Sequence, residues 1–226
     1  LYTLSNFTGI YRISSAKMDV DESKNEVYVV SSTKVKVFDE NGMEVFSFNE
    51  GAELGTVVDI AVDGRTGDIF VLSSRPGVAR IEIIRCNYRG EQISTIEPKD
   101  LPPDFSDFSP HRIVLRGNLF YLANTNDMKV VVIDETGVFQ KGFDVARLIE
   151  SDLTEKKKEK EKQDYGMAGF SVDRDGNVLL ANSSMARVFR LSLDGELRSF
   201  GVRGSTAGKF GVPVDVIADA TGNYLL

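Results

Sequence analysis

The chain has 226 residues, including 27 lysines and arginines and 34 aspartates and glutamates, which gives a formal net charge of −7. This acidic balance argues against a nucleic-acid partner, because phosphate binding requires clustered basic side chains. No apolar run approaches the length of a membrane span, so we predict no transmembrane segment. The single cysteine, Cys86, excludes a disulfide within the chain and is interpreted as a small core residue.

Short apolar strands recur along the chain, and polar turns such as Asn41-Gly42 and Asp173-Arg174-Asp175-Gly176-Asn177 separate them. Glycine and asparagine in these turns supply the positive φ that a hairpin needs. First strands are predicted at 16–20, 57–62, 112–115, 168–172 and 214–218, and the residue that follows each range is a closing charge. Second strands are predicted at 27–30, 69–72, 119–122, 178–181 and 224–226. Third strands are predicted at 34–38, 79–84, 129–133 and 187–191, and fourth strands at 43–48, 91–96, 138–143 and 196–200.

The strands are organised in a repeat whose length varies between 42 and 59 residues, because the second strands begin at Val27, Ile69, Leu119, Val178 and Tyr224. Four strands per unit of this length are typical of β-propeller blades. First and second strands read as nearly continuous apolar runs, which predicts burial on both faces between neighbouring blades. The predicted fold class is therefore all-β, a β-propeller of four-stranded antiparallel blades.

We interpret residues 1–226 as a single propeller domain that is incomplete at its C-terminal end. Residues 1–7 are predicted to be a lone outer strand, followed by four whole blades and half of a fifth. The expected complete ring has six blades, with the first strand closing the last blade. The first residue, Leu1, suggests a trimmed start, and the expectation is a bacterial, extracytoplasmic protein (periplasmic or at the cell surface), although the single cysteine leaves the compartment open.

The last unit carries the most specific pattern, with a glycine-rich lead-in at 201–208, Phe210, Pro213, the strand 214–218 and the turn Gly222-Asn223. This pattern resembles the NHL repeat family, and the earlier units are similar to it in their strands and turns. The resemblance implies a propeller scaffold whose loops carry the function. The family usually has an aspartate after the second strand, whereas this chain has Ser31, Ser73, Asn124 and Asn182 at these positions. No site residue is therefore carried over from the family.

One face of the propeller is predicted to carry the function, because all length variation falls in the loops between strands two and three and between blades. Two insertions lie on it, 97–110 and 144–166. In the first, Phe105 and Phe108 are either exposed anchors or rings that cap the blade. In the second, a short helix precedes eight charged residues at 155–162, which are either a solvated segment or a docking arm. The predicted binding residues of this face are Phe105, Phe108, His111, Asn124, Asn126 and Asn182.

A second candidate site comes from aligning the first strands of the units. Four residues before the closing charge stand Lys17, Asp59, Arg112, Gly169 and Asp215. Because they share one repeat position, the charged members are predicted to gather at the mouth of the central channel. Lys17, Asp59, Arg112 and Asp215 then form either a structural ring of salt bridges or a polar binding site.

No catalytic residue, metal or cofactor is predicted. Among the propellers that the resemblance brings in, an NHL-type lyase uses a zinc held by several histidines, and the single histidine of this chain, His111, cannot build such a site. The leading hypothesis is a non-catalytic scaffold that binds a protein, peptide or glycan. The alternative is a metal-dependent lactonase or hydrolase-type propeller with its site at the central channel. Its oxygen ligands would be Asp59, Asp215, Asn124 and Asn182, although Lys17 and Arg112 would oppose a cation.

Overall fold

A computed structural model describes residues 17–31, 33–152, 166–219 and 221–226. The chain divides into two compact units. Unit 1 contains Leu1–Pro98 and His111–Leu115, and unit 2 contains Lys99–Pro110 and Arg116–Leu226. In the described residues, no helix has both the length and the apolar character that crossing a bilayer requires.

Almost all regular structure is antiparallel β-sheet. Sheet 1 has the order β1-β2-β3-β4, with strands Lys17–Asp21, Glu26–Ser31, Lys34–Phe38 and Glu44–Phe48. Sheet 2 has the order β5-β6-β7-β8, with strands Thr56–Asp63, Asp68–Ser74, Glu82–Cys86 and Gln92–Ile96. In both, each strand pairs with the next along the chain, which is the up-and-down meander of a propeller blade.

The remaining strands repeat this arrangement. Sheet 3 contains β9 to β12, which are Arg112–Arg116, Leu119–Asn124, Lys129–Asp134 and Phe139–Asp144. Sheet 4 contains β13 to β16, which are Gly169–Val172, Val178–Asn182, Arg187–Leu191 and Leu197–Phe200. A two-stranded sheet follows, with β17 at Ile217–Ala218 and β18 at Tyr224–Leu225. The predicted all-β fold class is confirmed, and the fold is a β-propeller with four four-stranded blades in the described chain.

The closing charge of the first strand has a local structural role. In four of the hairpins it is an aspartate whose Oδ1 accepts backbone N–H bonds from the turn. The backbone amide of Ser23 donates to Asp21, that of Arg65 to Asp63, those of Asp175 and Asn177 to Asp173, and those of Thr221 and Asn223 to Asp219. Such a side chain satisfies turn amides that no strand partner reaches, so the aspartate specifies where the hairpin turns.

Each unit has its own apolar core. In unit 1, sheets 1 and 2 bury a cluster that includes Tyr28, Val35, Phe48, Ile69 and Ile84. Cys86 belongs to the same cluster, and burial raises the pKa of its thiol to about 11, in keeping with a packing role. In unit 2, a second cluster joins sheet 4 to the two-stranded sheet through Leu179, Ala181, Val188 and Val216.

The structure corrects three details of the predicted strands. β7 begins at Glu82, not at Ala79, because the turn at Pro76-Gly77 extends further along the chain. The strand predicted at 214–218 pairs only at Ile217 and Ala218. First strands are not all buried on both faces, since β1 alternates half-buried and exposed residues up to the buried Asp21.

The insertions contain regular structure of their own. α1 spans Val145–Asp152, where the apolar spacing predicted a helix, and the Asp144 carboxylate accepts a bond from the Arg147 amide at 3.0 Å. The first insertion contains a single 3-10 turn, Pro103–Phe105. The outer strand predicted at 1–7 and the charged run at 155–162 lie outside the described residues.

The turn at Asp219 gives a direct test of the repeated hairpin. Hydrogen bonds from Thr221 and Asn223 lower the pKa of Asp219 to about 2. Since the pKa is depressed in the folded state, the stabilisation by this turn is fully present above the ordinary value of about 3.8 and is lost as the pH falls towards 2. We expect an NMR titration of Asp219 to show a midpoint near 2. Thr221→Val should raise the midpoint and Thr221→Ser should preserve it, whereas an ordinary midpoint in the wild type would contradict the assignment.

Candidate functional site

Three of the four predicted channel-mouth charges come together in unit 1. Asp59 lies on β5 with its side chain 4% exposed, and its Oδ2 accepts bonds from Nε of Arg112 at 3.0 Å and from the Ile113 amide at 2.9 Å. Burial raises the pKa of Asp59, whereas the charges of Arg112 and Lys17 act in the opposite direction. The buried Asp59 carboxylate therefore lies among two half-buried cations, which partly offset the cost of its burial.

The fourth charge, Asp215, lies in unit 2 against Gly169. A Cβ added to Gly169 would lie 2.5 Å from Cα of Asp215, so the two backbones approach closely. This contact explains why the repeat position carries no side chain in sheet 4. Asp215 bonds its own neighbour, since its Oδ1 accepts from the Val216 amide at 2.9 Å.

The aromatic residues of the first insertion are packed and not exposed. Phe105 and Phe108 are each 7% exposed. The Phe105 ring covers Gly142, lies 6.2 Å from the Phe139 ring and has the Lys129 ammonium 5.6 Å above it. Of the two alternatives for these rings, burial is the one that the structure has, and neither ring is available as a surface anchor.

The predicted asparagines of the loop face organise turns. The Asn124 side-chain oxygen accepts bonds from the Asn126 and Asp127 amides, both at 3.0 Å, and Asn182 accepts one from Met185 at 2.7 Å. Asn124 and Asn182 are buried, while Asn126 is exposed. His111 is half-buried and lies directly before β9. The side chains of Asn124 and Asn182 thus bond the backbone close by in sequence. None of the cavities in the described residues is lined by the three asparagines and His111 together.

A groove that sequence reasoning missed runs along the outer strand of sheet 1. It consists of two cavities of about 460 and 470 Å³, which both reach Phe46 and Arg89. The first is lined by Phe46–Glu50, Glu53, Leu54 and Arg89–Gln92, and the second by Lys24, Glu26, Tyr28, Val37, Val45, Phe46, Tyr88 and Arg89. We call these residues the β4 groove, and all of them belong to unit 1.

The opposite wall of the β4 groove is the turn between β7 and β8. Gly90 sits in this turn with φ of 75°, and a Cβ there would overlap the Phe48 ring. Only glycine combines this conformation with this contact, so Gly90 brings the turn against β4. The side chains of Tyr88 and Arg89 then project beside the exposed face of the strand.

The groove combines exposed apolar groups with charged ends. Phe46 is 41% exposed and stacks on Phe48 with a centroid distance of 6.3 Å, and Val45 and Tyr88 are also exposed. The Arg89 guanidinium lies 5.3 Å from the Tyr88 ring centroid, a cation–π contact. Hydrogen bonds from Lys34 and Ser47 lower the pKa of Glu50 at the other end. An exposed apolar surface with charged margins is a typical binding surface.

The strand register contains the signal that would have revealed this groove. Phe46 pairs with Val37, and at the equivalent place the outer strands of sheets 2, 3 and 4 carry Ser94, Lys141 and Arg198. A propeller's outer strand normally faces water, so the polar residues are the expected choice. Sheet 1 alone has an aromatic residue there.

The described residues offer little to a metal. Within them, no three His, Cys, Asp or Glu side chains are placed so that they could hold an ion together. The oxygen ligands of the lactonase alternative have other partners: Arg112 for Asp59, and backbone amides close in sequence for Asp215, Asn124 and Asn182. The arrangement therefore gives this alternative no support.

Comparison with protein families finds the PRC-barrel domain, matched to residues 33–83. In the structure these residues belong to two separate sheets, with β3 and β4 in sheet 1 and β5 and β6 in sheet 2. The match spans well under half of the chain and does not establish membership. No curated protein is matched in sequence.

Solved structures show the same fold at low sequence identity. A streptogramin B lyase is 16% identical with a TM-score of 0.57, over 92% of this chain and 60% of that one. A catalytically inactive virginiamycin B lyase from Staphylococcus aureus, with quinupristin, is 15% identical with a TM-score of 0.55, over 94% and 62%. A protein of unknown function from Bacteroides thetaiotaomicron is 19% identical with a TM-score of 0.59, over 92% and 55%. The chain thus spans about 60% of the length of the two lyases, and the NHL resemblance remains a prediction.

Proposed function

We propose that this chain is a non-catalytic propeller module that binds a protein, peptide or glycan, and that its binding surface is the β4 groove. The observation that carries the proposal is the exposure of Phe46, Val45 and Tyr88 around two adjoining cavities of one unit. Burying such a surface against a ligand is favourable, and aromatic residues dominate binding energies when they are covered.

The charged cluster of Lys17, Asp59 and Arg112 is a weaker candidate for the binding site. Its carboxylate already has a guanidinium and a backbone amide as partners, and it is almost inaccessible. A ligand would have to displace these contacts and leave a buried charge without compensation. The proposal therefore assigns this cluster to the fold and the β4 groove to recognition.

The activity of the two lyases is not proposed for this chain, because at 16% and 15% identity the similarity concerns the fold alone. No arrangement of side chains in the described residues favours an enzymatic role over a binding role. Binding is accordingly the single function proposed.

Two ligand collections test the proposal, a displayed library of random peptides and an array of glycans. We expect at least one collection to contain ligands that bind the wild type. Their affinity should fall about thirtyfold for Phe46→Ser, since covered aromatic residues contribute about 2 kcal/mol. Serine is the residue that sheet 2 carries at this position, at Ser94, so the substitution suits the strand.

Ile93→Ser is the matched control, because Ile93 is also an exposed apolar residue of an outer strand but does not itself line the groove. Its ligand affinity should equal that of the wild type. Finding no ligand in either collection, or ligands that bind Phe46→Ser as well as the wild type, would refute the proposal.

A further inference from the structure

We infer that the occupant of the β4 groove is an extended, basic peptide segment that adds to the sheet as a strand beside β4. This inference rests on the proposed function and specifies its ligand. Three features of the groove support it: an edge of β4 with which no other described strand pairs, the absence of a protective charge at the centre of β4, and the acidic character of the lining.

The edge of β4 can accept another strand. β4 ends sheet 1, and in the described residues it pairs with β3 alone. An edge strand presents backbone N–H and C=O groups that a peptide can bond in the manner of a further strand. The cavities along β4 provide space next to this edge.

Two of the other outer strands, β12 and β16, carry a charged residue that discourages strand addition at the position where β4 has Phe46. Lys141 stands at the centre of β12 and Arg198 at the centre of β16, where charged side chains protect a sheet edge. In β4 the corresponding residue is Phe46, between Val45 and Ser47. The charged residue of β4, Glu44, lies at the start of the strand, where its carboxylate pairs with the Lys36 ammonium at 2.7 Å. The centre of β4 thus lacks a protective charge, as does that of β8 with Ser94, and of the four strands β4 alone has an exposed aromatic residue there.

The charge of the groove selects a basic partner. Carboxylates line it at Glu26, Glu50, Glu53 and Glu91, against the two cations Lys24 and Arg89. The whole chain is acidic as well, with a net charge of −7. Complementary charge raises the rate of association and disfavours acidic partners.

The aromatic residues favour a peptide over a glycan. A sugar ring stacks on an open aromatic face, but the guanidinium of Arg89 lies over the Tyr88 ring. The hydroxyl of Tyr28 is engaged with Glu26 at 3.0 Å. Phe46 and Val45 instead offer apolar contact to the alternate side chains of an extended chain.

The test uses a labelled peptide of about ten residues in which lysine alternates with valine and phenylalanine, matching the length of a long strand. Fluorescence anisotropy compares it with an identical peptide that has glutamate in place of lysine. A third peptide carries N-methyl groups on alternate backbone amides. We expect the lysine peptide to bind the wild type at least about tenfold more tightly than either of the others, because charge and backbone bonds are both required.

Phe46→Ser and Tyr88→Ser should both weaken binding of the lysine peptide, and Ile93→Ser should leave it unchanged; using two groove variants protects against misfolding of one. If the glutamate or N-methylated peptide binds as well as the lysine peptide, or if only glycans bind in a manner that depends on Phe46, the strand-addition inference is overturned while the proposed function stands. If no peptide or glycan depends on Phe46, both fail.

Discussion

Replacing Arg112 with alanine is expected to lower the free energy of unfolding by about 3 kcal/mol, because it leaves the Asp59 carboxylate buried without its guanidinium. The Arg112 side chain is 16% exposed and that of Asp59 is 4% exposed, so the carboxylate has little contact with water that could take the place of the lost partner. Urea denaturation of both proteins measures the difference.

The loss should depend on pH in a defined direction. Burial already raises the pKa of Asp59, and removal of Arg112 takes away the strongest opposing effect, so the pKa should rise further. Below the ordinary aspartate pKa of about 4, the carboxyl group is protonated in the folded and unfolded states and needs no cation. The destabilisation should therefore be largest near neutral pH and should shrink in acid.

Arg198→Ala is the matched control, since Arg198 pairs with Glu196 at 2.8 Å and both side chains are about 60% exposed. Its effect should stay within about 0.5 kcal/mol. Equal stabilities of the Arg112 and Arg198 variants would contradict a structural role for the buried cluster and would restore Arg112 as a candidate for ligand binding.

The second large effect is expected for Gly169→Ala, with a loss of about 2 kcal/mol. The new Cβ would lie 2.5 Å from Cα of Asp215 and 3.1 Å from its carbonyl carbon. Backbone atoms cannot rotate away as a side chain can, so the segment at Asp215 would have to move. Thermal or urea denaturation provides the comparison with the wild type.

Gly211→Ala controls for the general effect of adding a methyl group. Gly211 lies in the same unit, has no positive φ, and no atom lies within 4 Å of a Cβ added there. Its stability should match or slightly exceed that of the wild type, because alanine has less conformational freedom when unfolded. If Gly169→Ala proved equally harmless, the close approach of the two backbones would be wrong.

The sequence predicts most of the fold because the information for it is local. The bounds of 34–38 and 187–191 agree with β3 and β15, since each strand is an apolar run closed by a turn. Strand ends that depend on a partner distant in sequence are harder to predict. The Val214–Val216 segment reads as strand, but its contacts are to sheet 4, where the Ser171 hydroxyl donates to the Val216 carbonyl at 2.6 Å.

The candidate sites are predicted less well because they depend on neighbours that are remote in sequence. Alignment of the repeat finds Lys17, Asp59 and Arg112, but it cannot tell an internal ion pair from an exposed one. The burial of Phe105 depends on Gly142 and on the bridge between Lys99 and Val138, which no periodicity reveals. The β4 groove becomes visible only when the outer strands are compared in their observed register.

The central claim is that the β4 groove binds the ligand, and backbone amide chemical shifts test it most directly. A bound peptide or glycan from the two collections should shift the amide signals of residues 44–50 and 87–92 and leave those of 97–110 and 124–126 in place. Shifts confined to 97–110 and 124–126, with 44–50 unaffected, would contradict the claim and place recognition on the loop face.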